Sequence, residues 1–416
     1  MPDKYLMALD IGSSWIRAVM GSFSRDGQLI VDTICERPSE GISHGRIVNI
    51  EQTFKAITSV VQEAELQAGS EAESVIFGVG GSQIETYNSQ GVVGITGKDQ
   101  EITKDDIYRS LEVARAFSLP VDREILHTLV QDFSVDGKSG IKDPVDMLGH
   151  RLETKVLIVT AYSSILLNER KTLGRAGFEN NRVMLQSLAD AEVVLSQEEK
   201  EIGTVLINIG GDVTNIIAYS NGSPCYAGGV DLGGKDITND ISYILSKTHS
   251  VAEEIKCKSG CCYIPAVVSS EMVMIPQVGG LPSINMPKRE LSKIIEPRMA
   301  EIFSILKNEL DKACPHCGFG GGVVLVGGGS LLSGVTELAG EIFRLQPRIG
   351  FPKAVPGLDR TYIDPRYTTA LGMLQTEANR YLNNSKGSRK PSSWRKNDKK
   401  KNFGKGIGRF FRTFIK

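Results

Sequence analysis

The sequence predicts an α/β protein made of two similar halves, and three observations support this prediction. Three short apolar strands joined by tight turns open the chain, at residues 4–9, 15–21 and 29–34. The same pattern, with a glycine turn between its first two strands, returns at residues 203–209, 214–220 and 224–229. With 416 residues and 41% hydrophobic content, the chain is long enough to form two or more cores.

In the first half, an amphipathic helix is expected over residues 51–65. Its apolar side chains recur at helical spacing and are expected on one buried face: Phe54, Ile57, Val61 and Leu66. A further strand at residues 75–79 is closed by Gly80 and Gly81. This alternation of strand and helix is typical of a sheet covered by helices.

Residues 84–160 have a different pattern and are predicted to form an inserted α+β subdomain. Two strands and a helix are expected there, at residues 92–95, 127–135 and 105–117. Thr103 precedes this helix and Asp106 follows three residues later, which is the spacing of a capping box. The β-branched run at residues 156–160 again has the apolar composition of the core strands in the first half.

The second half continues with helices near residues 235–246 and over residues 291–310. A buried strand at residues 323–326 then leads into a glycine turn and a helix. Strands, glycine turn and helices are therefore duplicated, which predicts two related halves facing one another.

Four glycine turns in this arrangement predict a nucleotide site, although each alone is a weak signal. They are Asp10-Ile11-Gly12-Ser13-Ser14, Asn208-Ile209-Gly210-Gly211, Asp231-Leu232-Gly233-Gly234 and Gly327-Gly328-Gly329. Glycine lets the backbone approach a phosphate closely, and hydroxyls and successive N–H groups can bind it. Asp10 is placed to hold hydrated Mg²⁺. The first two turns could clamp phosphates from opposite sides, and the last could lie flat against an adenine.

Seven cysteines occur in a chain whose N-terminus does not resemble a signal peptide, so a cytosolic body with reduced thiols is expected. Cys314 and Cys317 have the spacing of a redox or zinc pair, which Cys257, Cys261 and Cys262 could complete. Nothing places the pair at the start of a helix after a strand, where a thioredoxin-like thiol lies. Incidental cysteines are the favoured interpretation.

Residues 403–416 have an apolar and a cationic stripe on opposite faces of one helix. The stripes are Phe403, Ile407, Phe410, Phe411, Phe414 and Ile415, and Lys405, Arg409, Arg412 and Lys416. Such a helix lies in the interface of an anionic bilayer, with its rings among the acyl chains. It is too short to span the bilayer. A basic helix that binds a partner protein is the alternative.

The formal net charge of -1 conceals an asymmetry between the tail and the body. Residues 386–416 hold twelve Lys or Arg and one Asp, which leaves -12 for residues 1–385. The basic tail would draw an otherwise acidic body to an anionic surface. Nucleic acid is disfavoured as the partner, because phosphate contacts need no continuous apolar face. The polar segment at residues 383–402 is predicted to be a flexible linker.

The motifs, in this order, resemble the FtsA family of bacterial cell-division proteins within the actin superfamily. The resemblance covers essentially the whole chain, and its specific stretches are IGSSWIRAVMG, EILHTLVQDFSVDGKSGIKDPVDMLGHRLETKV, AEEIKCKSG, LSKIIEPRMAEIF, VVLVGGGSLLSGV and YTTALGML. The second stretch is the most specific, because it belongs to a subdomain that other actin relatives lack.

This resemblance implies an actin-like ATPase fold, with two duplicated RNase H-like halves around a nucleotide cleft. Residues 1–83 and 161–200 would form the first half, and residues 201–232 and 300–382 the second. Residues 84–160 would form an insert used in self-association or partner contacts, and residues 233–299 a second-half insert that is a candidate FtsZ-binding region. Residues 383–402 would be the linker and residues 403–416 the membrane helix.

The resemblance also implies ATP-dependent, actin-like polymerisation and anchoring of FtsZ filaments to the cytoplasmic face of the cell membrane at midcell. The implied cofactors are ATP and Mg²⁺, and the implied partners are the FtsZ C-terminal peptide, further copies of the chain, anionic lipids and later division proteins. The resemblance also implies site residues at positions of this sequence. Phosphates would be contacted by Gly12, Ser13, Ser14, Gly210 and Gly211, with Gly234 as a further turn for anion approach, and the metal would be held by Asp10 and Asn208. Ribose and adenine would meet Glu253 and Lys256, the nucleoside would be flanked by Gly327, Gly328 and Gly329, and FtsZ would contact Arg289.

Three positions depart from the family's usual phosphate loop. Asn208 and Asn215 replace carboxylates and Asp212 replaces a glycine. Loss of negative charge weakens the hold on Mg²⁺, and Asp212 is expected to crowd or repel a phosphate. Gln186 lies near where actin relatives place a water-orienting side chain, although an ordinary helix glutamine is the simpler interpretation. We therefore expect an ATP-binding adaptor with very slow hydrolysis.

A small-molecule kinase of the same superfold is the alternative function. A kinase needs a carboxylate base near the transferred phosphate. Asp190 and Glu192 are the nearest candidates in sequence, and both are expected to face solvent on their helix. A metabolic kinase has no need for a lipid-seeking tail, so the adaptor is favoured.

Overall fold

A computed structural model describes residues 5–24, 26–97, 99–179, 181–277 and 282–387, with side chains to residue 383. The predicted amphipathic helix at residues 403–416 lies outside the described residues, as does most of the predicted linker. The last described helix runs to Gly387 and therefore covers the first five residues of that linker.

Strands and helices occur along the whole described chain, with groups of consecutive strands separated by helices. The strands are β1 (Leu6–Ile11), β2 (Trp15–Phe23), β3 (Leu29–Pro38), β4 (Ile42–Ser43), β5 (Arg46–Ile47), β6 (Ser74–Val79), β7 (Glu85–Gly94), β8 (Arg123–Val135), β9 (Lys138–Ile141), β10 (Arg151–Tyr162), β11 (Asn181–Leu185), β12 (Thr204–Ile209), β13 (Thr214–Ser220), β14 (Ser223–Val230), β15 (Met272–Ile275), β16 (Ile284–Pro287), β17 (Val323–Val326) and β18 (Pro347–Ile349). The helices are α1 (Ile50–Ala68), α2 (Lys104–Arg115), α3 (Ser163–Arg175), α4 (Gln186–Val194), α5 (Gln197–Ile202), α6 (Gly234–Leu245), α7 (His249–Ser259), α8 (Lys288–Ala313), α9 (Val335–Phe343) and α10 (Thr368–Gly387).

The two halves share one sheet topology. The first sheet has the order β11-β6-β1-β2-β3, and the second has the equivalent order β18-β17-β12-β13-β14. In each, three consecutive strands pair antiparallel, a later strand adds in parallel to the first of them, and one more strand adds in parallel to that later strand. The predicted duplication is therefore confirmed at the level of strand pairing.

Burial explains why these strands read as apolar runs. All six residues of β1 are buried, so both faces of this central strand are covered, and helices α1 and α10 pack on its sheet. In the second half, the long helix α8 packs against the equivalent sheet and places Leu291, Met299 and Phe303 in its core. The nucleotide-loop candidates lie at the ends of strands held by these two cores.

The inserted subdomain is a four-stranded sheet of order β7-β10-β8-β9 with α2 packed on it. The predicted capping box is present: the Thr103 hydroxyl accepts from the Asp106 N–H, and the Asp106 carboxylate accepts from the Thr103 N–H at 2.8 Å. The subdomain docks on the β13–β14 hairpin of the second half, where Gln131 Nε2 donates to the Pro224 carbonyl at 3.1 Å.

Several local predictions need correction. Leu66 is 83% exposed rather than buried, because it follows Ile57 by two and a half helical turns and so lies on the opposite face of α1. The predicted glycine turn that follows β17 is a single 3-10 turn, Gly328–Leu331, and the helix predicted after it is α9, which begins at Val335. The β15–β16 hairpin and β9 were not predicted, since each strand has only four residues.

Helices α4 and α10 approach so closely that only glycine fits at residue 372. A Cβ on Gly372 would overlap the backbone carbonyl oxygen of Ala189. We expect Gly372→Ala to lower the free energy of unfolding by about 2 kcal/mol or more, because rigid backbone must move. Urea denaturation followed by far-UV circular dichroism measures this loss.

Gly174→Ala is the matched control for that substitution. Gly174 also lies in a helix, but nothing is within 4 Å of its added Cβ. Alanine is the better helix former, so this variant should gain up to about 1 kcal/mol. Equal stability of the two variants would contradict the close packing of α4 on α10.

Candidate nucleotide-binding site

A cavity of about 770 Å³ lies between the two halves. Its volume is within the range of small-molecule and cofactor sites. The structure brings together in its lining the candidates for cofactor, metal and water contact that the sequence predicted. These are Asp10, Gly12, Ser13, Ser14, Gln186, Asn208, Gly210, Gly211, Gly234, Glu253, Lys256, Gly327, Gly328 and Gly329.

Two hairpin turns of the same geometry face each other across this cavity. The Gly12 N–H donates to the Trp15 carbonyl at 3.1 Å, and the Gly210 N–H donates to the Val213 carbonyl at 2.9 Å. A Cβ would lie 2.9 Å from the acceptor oxygen in the first turn and 2.7 Å in the second, so glycine is required in both. The turns leave backbone and serine groups directed at a space suited to an anion.

Lys235 neutralises Asp212. Its ammonium lies 3.1 Å from the Asp212 carboxylate and donates to the Ser13 carbonyl at 2.7 Å. The same carboxylate accepts from the His44 N–H at 3.2 Å. Asp212 is buried behind the turn and does not line the cavity, so the expectation that it crowds or repels a phosphate is wrong.

Asp10 presents a buried carboxylate at the floor of the cavity. Gln186 Nε2 donates to it at 3.3 Å, and the Arg17 guanidinium lies 3.6 Å away. Burial raises the pKa of Asp10, and the positive charge of Arg17 opposes that rise. A carboxylate here is an oxygen ligand of the kind that Mg²⁺ takes beside phosphates, and Asn208 also lines the cavity.

Asn208 is held by the buried carboxylate of Asp190. Its Nδ2 donates to Asp190 at 2.7 Å, and Thr368 and Thr369 donate hydroxyl hydrogen bonds to the same carboxylate at 2.7 and 2.8 Å. Asp190 has no exposed surface, so the prediction that it faces solvent is wrong. Burial raises the pKa of Asp190 to about 6, and the three donors partly offset that rise.

This contact gives a physical reason for asparagine at residue 208. An aspartate there would place a second carboxylate within hydrogen-bond distance of Asp190, and two such charges repel strongly when buried. Glu192, the other candidate base, is half-buried and lies 3.8 Å from the Lys200 ammonium. Asp190 is covered by Asn208 and Thr369, which themselves line the cavity, so its carboxylate is not presented to a substrate.

Asn215 and Gln186 form a hydrogen-bonded chain across the floor. The Asn215 amide oxygen accepts from the Gly81 N–H at 2.6 Å, and its Nδ2 donates to Gln186 Oε1 at 3.0 Å. Gln186 in turn donates to Asp10. The oxygen with which Gln186 would orient a water is therefore already an acceptor for Asn215.

The nucleoside side of the cavity combines a fixed cation with a flat glycine segment. On α7, Lys256 donates at 2.8 Å to Glu253, to the Thr238 hydroxyl and to the Gly234 carbonyl. A Cβ at residue 327 would overlap Asn208 and one at residue 329 would overlap Ile209, whereas one at Gly328 would meet only Arg366 Cγ at 4.0 Å. Gly328 is therefore the glycine whose missing side chain leaves room inside the cavity.

The remaining candidates lie elsewhere. Arg289 is exposed near the start of α8, outside the cavity lining, while its neighbour Leu291 is fully buried. The possible grouping of Cys314 and Cys317 with Cys257, Cys261 and Cys262 is wrong, because Cys225 of β14 is the residue placed beside the pair.

A family model described as cell division protein FtsA matches residues 205–372, and one described as an SHS2 domain inserted in FtsA matches residues 81–160. The cell division protein FtsA of Borreliella burgdorferi is 39% identical over 376 residues, which are 90% of this chain and 91% of that protein.

This chain belongs to the FtsA family.

Solved structures agree with this membership at the level of fold. A chain of the PilM–PilN type IV pilus biogenesis complex aligns with a TM-score of 0.64 at 16% identity, covering 90% of this chain and 98% of that one. MreB5 of Spiroplasma citri bound to ADP aligns with a TM-score of 0.55 at 12% identity, covering 92% and 99%. The predicted actin-like ATPase fold with an inserted FtsA-type subdomain is thus confirmed. Among the described residues, no helix has the length and apolar content needed to cross a bilayer.

The Asp190–Asn208 contact predicts that replacing Asn208 by aspartate destabilises the protein in a pH-dependent way. Asn208→Asp should lower the free energy of unfolding at pH 7 by about 2 kcal/mol or more, because two buried carboxylates then face each other. The pKa of Asp190 is already raised in the folded state, so the native state takes up a proton as the pH falls through about 6. The loss should therefore shrink between pH 7 and pH 5, as measured by urea unfolding.

Adding Asp190→Asn to Asn208→Asp supplies the control. The exchanged pair keeps one amide and one carboxylate, so most of the stability at pH 7 should return. If Asn208→Asp alone is as stable as the parent at pH 7, the two side chains are not in contact.

Proposed function

We propose that this member of the FtsA family is an ATP-binding adaptor that anchors FtsZ filaments to the cytoplasmic face of the cell membrane at the division site. The observation that carries the proposal is the cavity between the halves, where two matched glycine hairpins, two lysines and a flat glycine segment converge. ATP would contact both halves at once and so favour the closed, assembly-competent arrangement.

The residues present fit ATP with Mg²⁺. The hairpins of Gly12 and Gly210 offer N–H groups and hydroxyls for phosphates, and Lys235 and Lys256 also line the cavity, each paired with a carboxylate. Asp10 and Asn208 would hold Mg²⁺, which neutralises phosphate charge when bound. The MreB5 structure, whose fold this chain shares, contains ADP.

ATP turnover is proposed to be very slow. Hydrolysis needs a metal held beside the terminal phosphate and an oriented water. Asp10 is the carboxylate available for the metal, and both asparagines and Gln186 are engaged in hydrogen bonds to protein groups. Because Asp190 is covered by Asn208 and Thr369, the kinase alternative is disfavoured.

Membrane attachment is proposed to reside in residues 403–416. The apolar stripe would insert among acyl chains while Arg409 and Arg412 contact anionic headgroups. The chain would assemble with further copies of itself and recruit later division proteins, as the family resemblance implies.

FtsZ contact is proposed near the start of α8. Arg289 is exposed there, and the β15–β16 hairpin that precedes it in the chain carries exposed apolar side chains: Met272, Met274 and Ile284. A cation beside exposed apolar side chains suits a peptide with acidic and apolar residues, which the family's FtsZ peptide has.

Gly328→Val tests the nucleotide site. Millimolar ATP–Mg²⁺ should raise the melting temperature of the parent, since a ligand bound only to the native state stabilises it. Valine at residue 328 should fill the cavity and abolish this shift. Phosphate release by the parent should stay below about one per second, the low end of ordinary enzymes.

Gly94→Val is the matched control for this experiment. Its added Cβ would likewise meet a single atom at 4.0 Å, but in the inserted subdomain. It should therefore retain the ATP shift. A parent whose melting curve is unchanged by ATP–Mg²⁺, or a Gly328→Val variant that keeps the full shift, would contradict the assignment.

Co-sedimentation with anionic liposomes and FtsZ tests the adaptor function. Phe410→Glu with Phe414→Glu should abolish liposome binding, because two charges in the apolar face remove the burial that drives insertion. Arg289→Glu should leave liposome binding intact and reduce the FtsZ carried into the pellet. Liposome binding by the double glutamate variant would refute the anchor, and full FtsZ recruitment by Arg289→Glu would move the FtsZ interface elsewhere.

A further inference from the structure

Three cysteine thiols meet outside the nucleotide cavity. Cys225 lies on β14, Cys314 directly follows the last turn of α8, and Cys317 lies in the turn beyond it. Their sulfur atoms are all within 4.8 Å of one another, although two of the three residues are about 90 positions from the first. The sequence spacing of Cys314 and Cys317 pointed to a pair, and the fold supplies the third thiol.

The backbone holds the three thiols on one side of this turn. The Cys314 N–H donates to the Leu310 carbonyl at 2.8 Å, which ends α8, and the Cys317 N–H donates to the Cys314 carbonyl at 3.2 Å. Cys225 is fixed by the strand pairing of β14 with β13, and its thiol donates to the Ala218 carbonyl at 3.4 Å. None of the three positions depends on a long side chain that could fold away.

We propose that Cys225, Cys314 and Cys317 form a site for one zinc ion, held by three thiolates with a fourth position open to solvent. Zinc takes tetrahedral sulfur ligands at about 2.3 Å, which places the sulfur atoms about 3.8 Å apart. The thiols need to close by about 1 Å or less from their present spacing, which side-chain rotation supplies. Cys314 is buried, while Cys225 and Cys317 are half-buried and leave the open side of the site accessible.

Each cysteine would bind zinc as a thiolate, so Zn²⁺ binding would release the three thiol protons to solvent. The zinc ion and the three sulfur atoms keep their oxidation states.

The site joins three parts of the molecule. Helix α8 lines the nucleotide cavity at Met299 and reaches Cys314 about 22 Å further along its axis. Strand β14 carries Cys225 and also receives the inserted subdomain, since Pro224 and Ala227 accept hydrogen bonds from Gln131 and Thr86. Bound zinc would therefore fix the end of α8 to the strand on which the inserted subdomain docks.

Metal titration of the full chain tests the proposal. The protein is purified under reducing conditions, stripped with a chelator, and titrated with Co²⁺ as a coloured substitute for Zn²⁺. We expect one equivalent to bind with thiolate-to-cobalt charge-transfer absorption, and Zn²⁺ to displace it. Zn²⁺ should also raise the melting temperature of the stripped protein.

Cysteine variants test whether these three thiols produce the cobalt absorption. Cys317→Ser, in the half-buried turn, should remove the charge-transfer band and the zinc-dependent shift while its circular dichroism stays that of the parent. Cys35→Ala, a buried cysteine of the first half, is the control and should keep both. Absence of the band in the parent, or its persistence in Cys317→Ser, would overturn the site. A Cys314–Cys317 disulfide found by mass spectrometry in the reduced parent would overturn it in favour of redox chemistry.

Discussion

The buried carboxylate of Asp190 is the constraint on which the site depends. It lies on α4 and accepts hydrogen bonds from Asn208 of β12 and from Thr368 and Thr369 of α10, so it joins both halves of the molecule. A buried charge is tolerated only when it is well hydrogen-bonded, and loss of any donor would leave it short of a partner. The same need explains why Gly372 lets α10 approach α4 so closely. The hydrogen bonds and the close packing of α4 on α10 both keep the Asp190 carboxylate supplied with donors.

Direct contacts across the cleft hold the halves in register around that carboxylate. Asp231 of the second half accepts from the Ser82 N–H at 3.0 Å and from the Arg46 guanidinium at 3.0 Å, both in the first half. Asn215 accepts from the N–H of Gly81, the residue directly before Ser82. The two Asp231 contacts reach the surface, so water can compete for them, whereas the Asn215 contact is buried. A ligand bound between the halves would add to a preference for closure that the protein already has.

The sequence predicted the strands, the duplication and the cavity-lining glycines well, because each of these is encoded locally. A glycine that follows a strand, such as Gly12 or Gly210, needs only its own turn to reach the site. Asp190 was misplaced because its burial depends on α10, nearly two hundred residues later in the chain, and helical spacing alone did not show it. Asp212 was misread for the same reason, since the lysine that neutralises it belongs to another element. Local sequence patterns do not show contacts between residues that lie far apart in the chain.

The twin hairpins have a consequence for orientation. Their backbones are related by duplication, so the scaffold alone would receive an elongated anion equally well in either direction. Their side chains differ, however: the first hairpin carries the ion pair of Asp10 with Arg17, and the second carries the neutral amide of Asn208. A ligand with two different ends can therefore bind in one preferred orientation, although the two walls of the cleft have the same backbone. A few side-chain differences between the halves are enough to set that orientation.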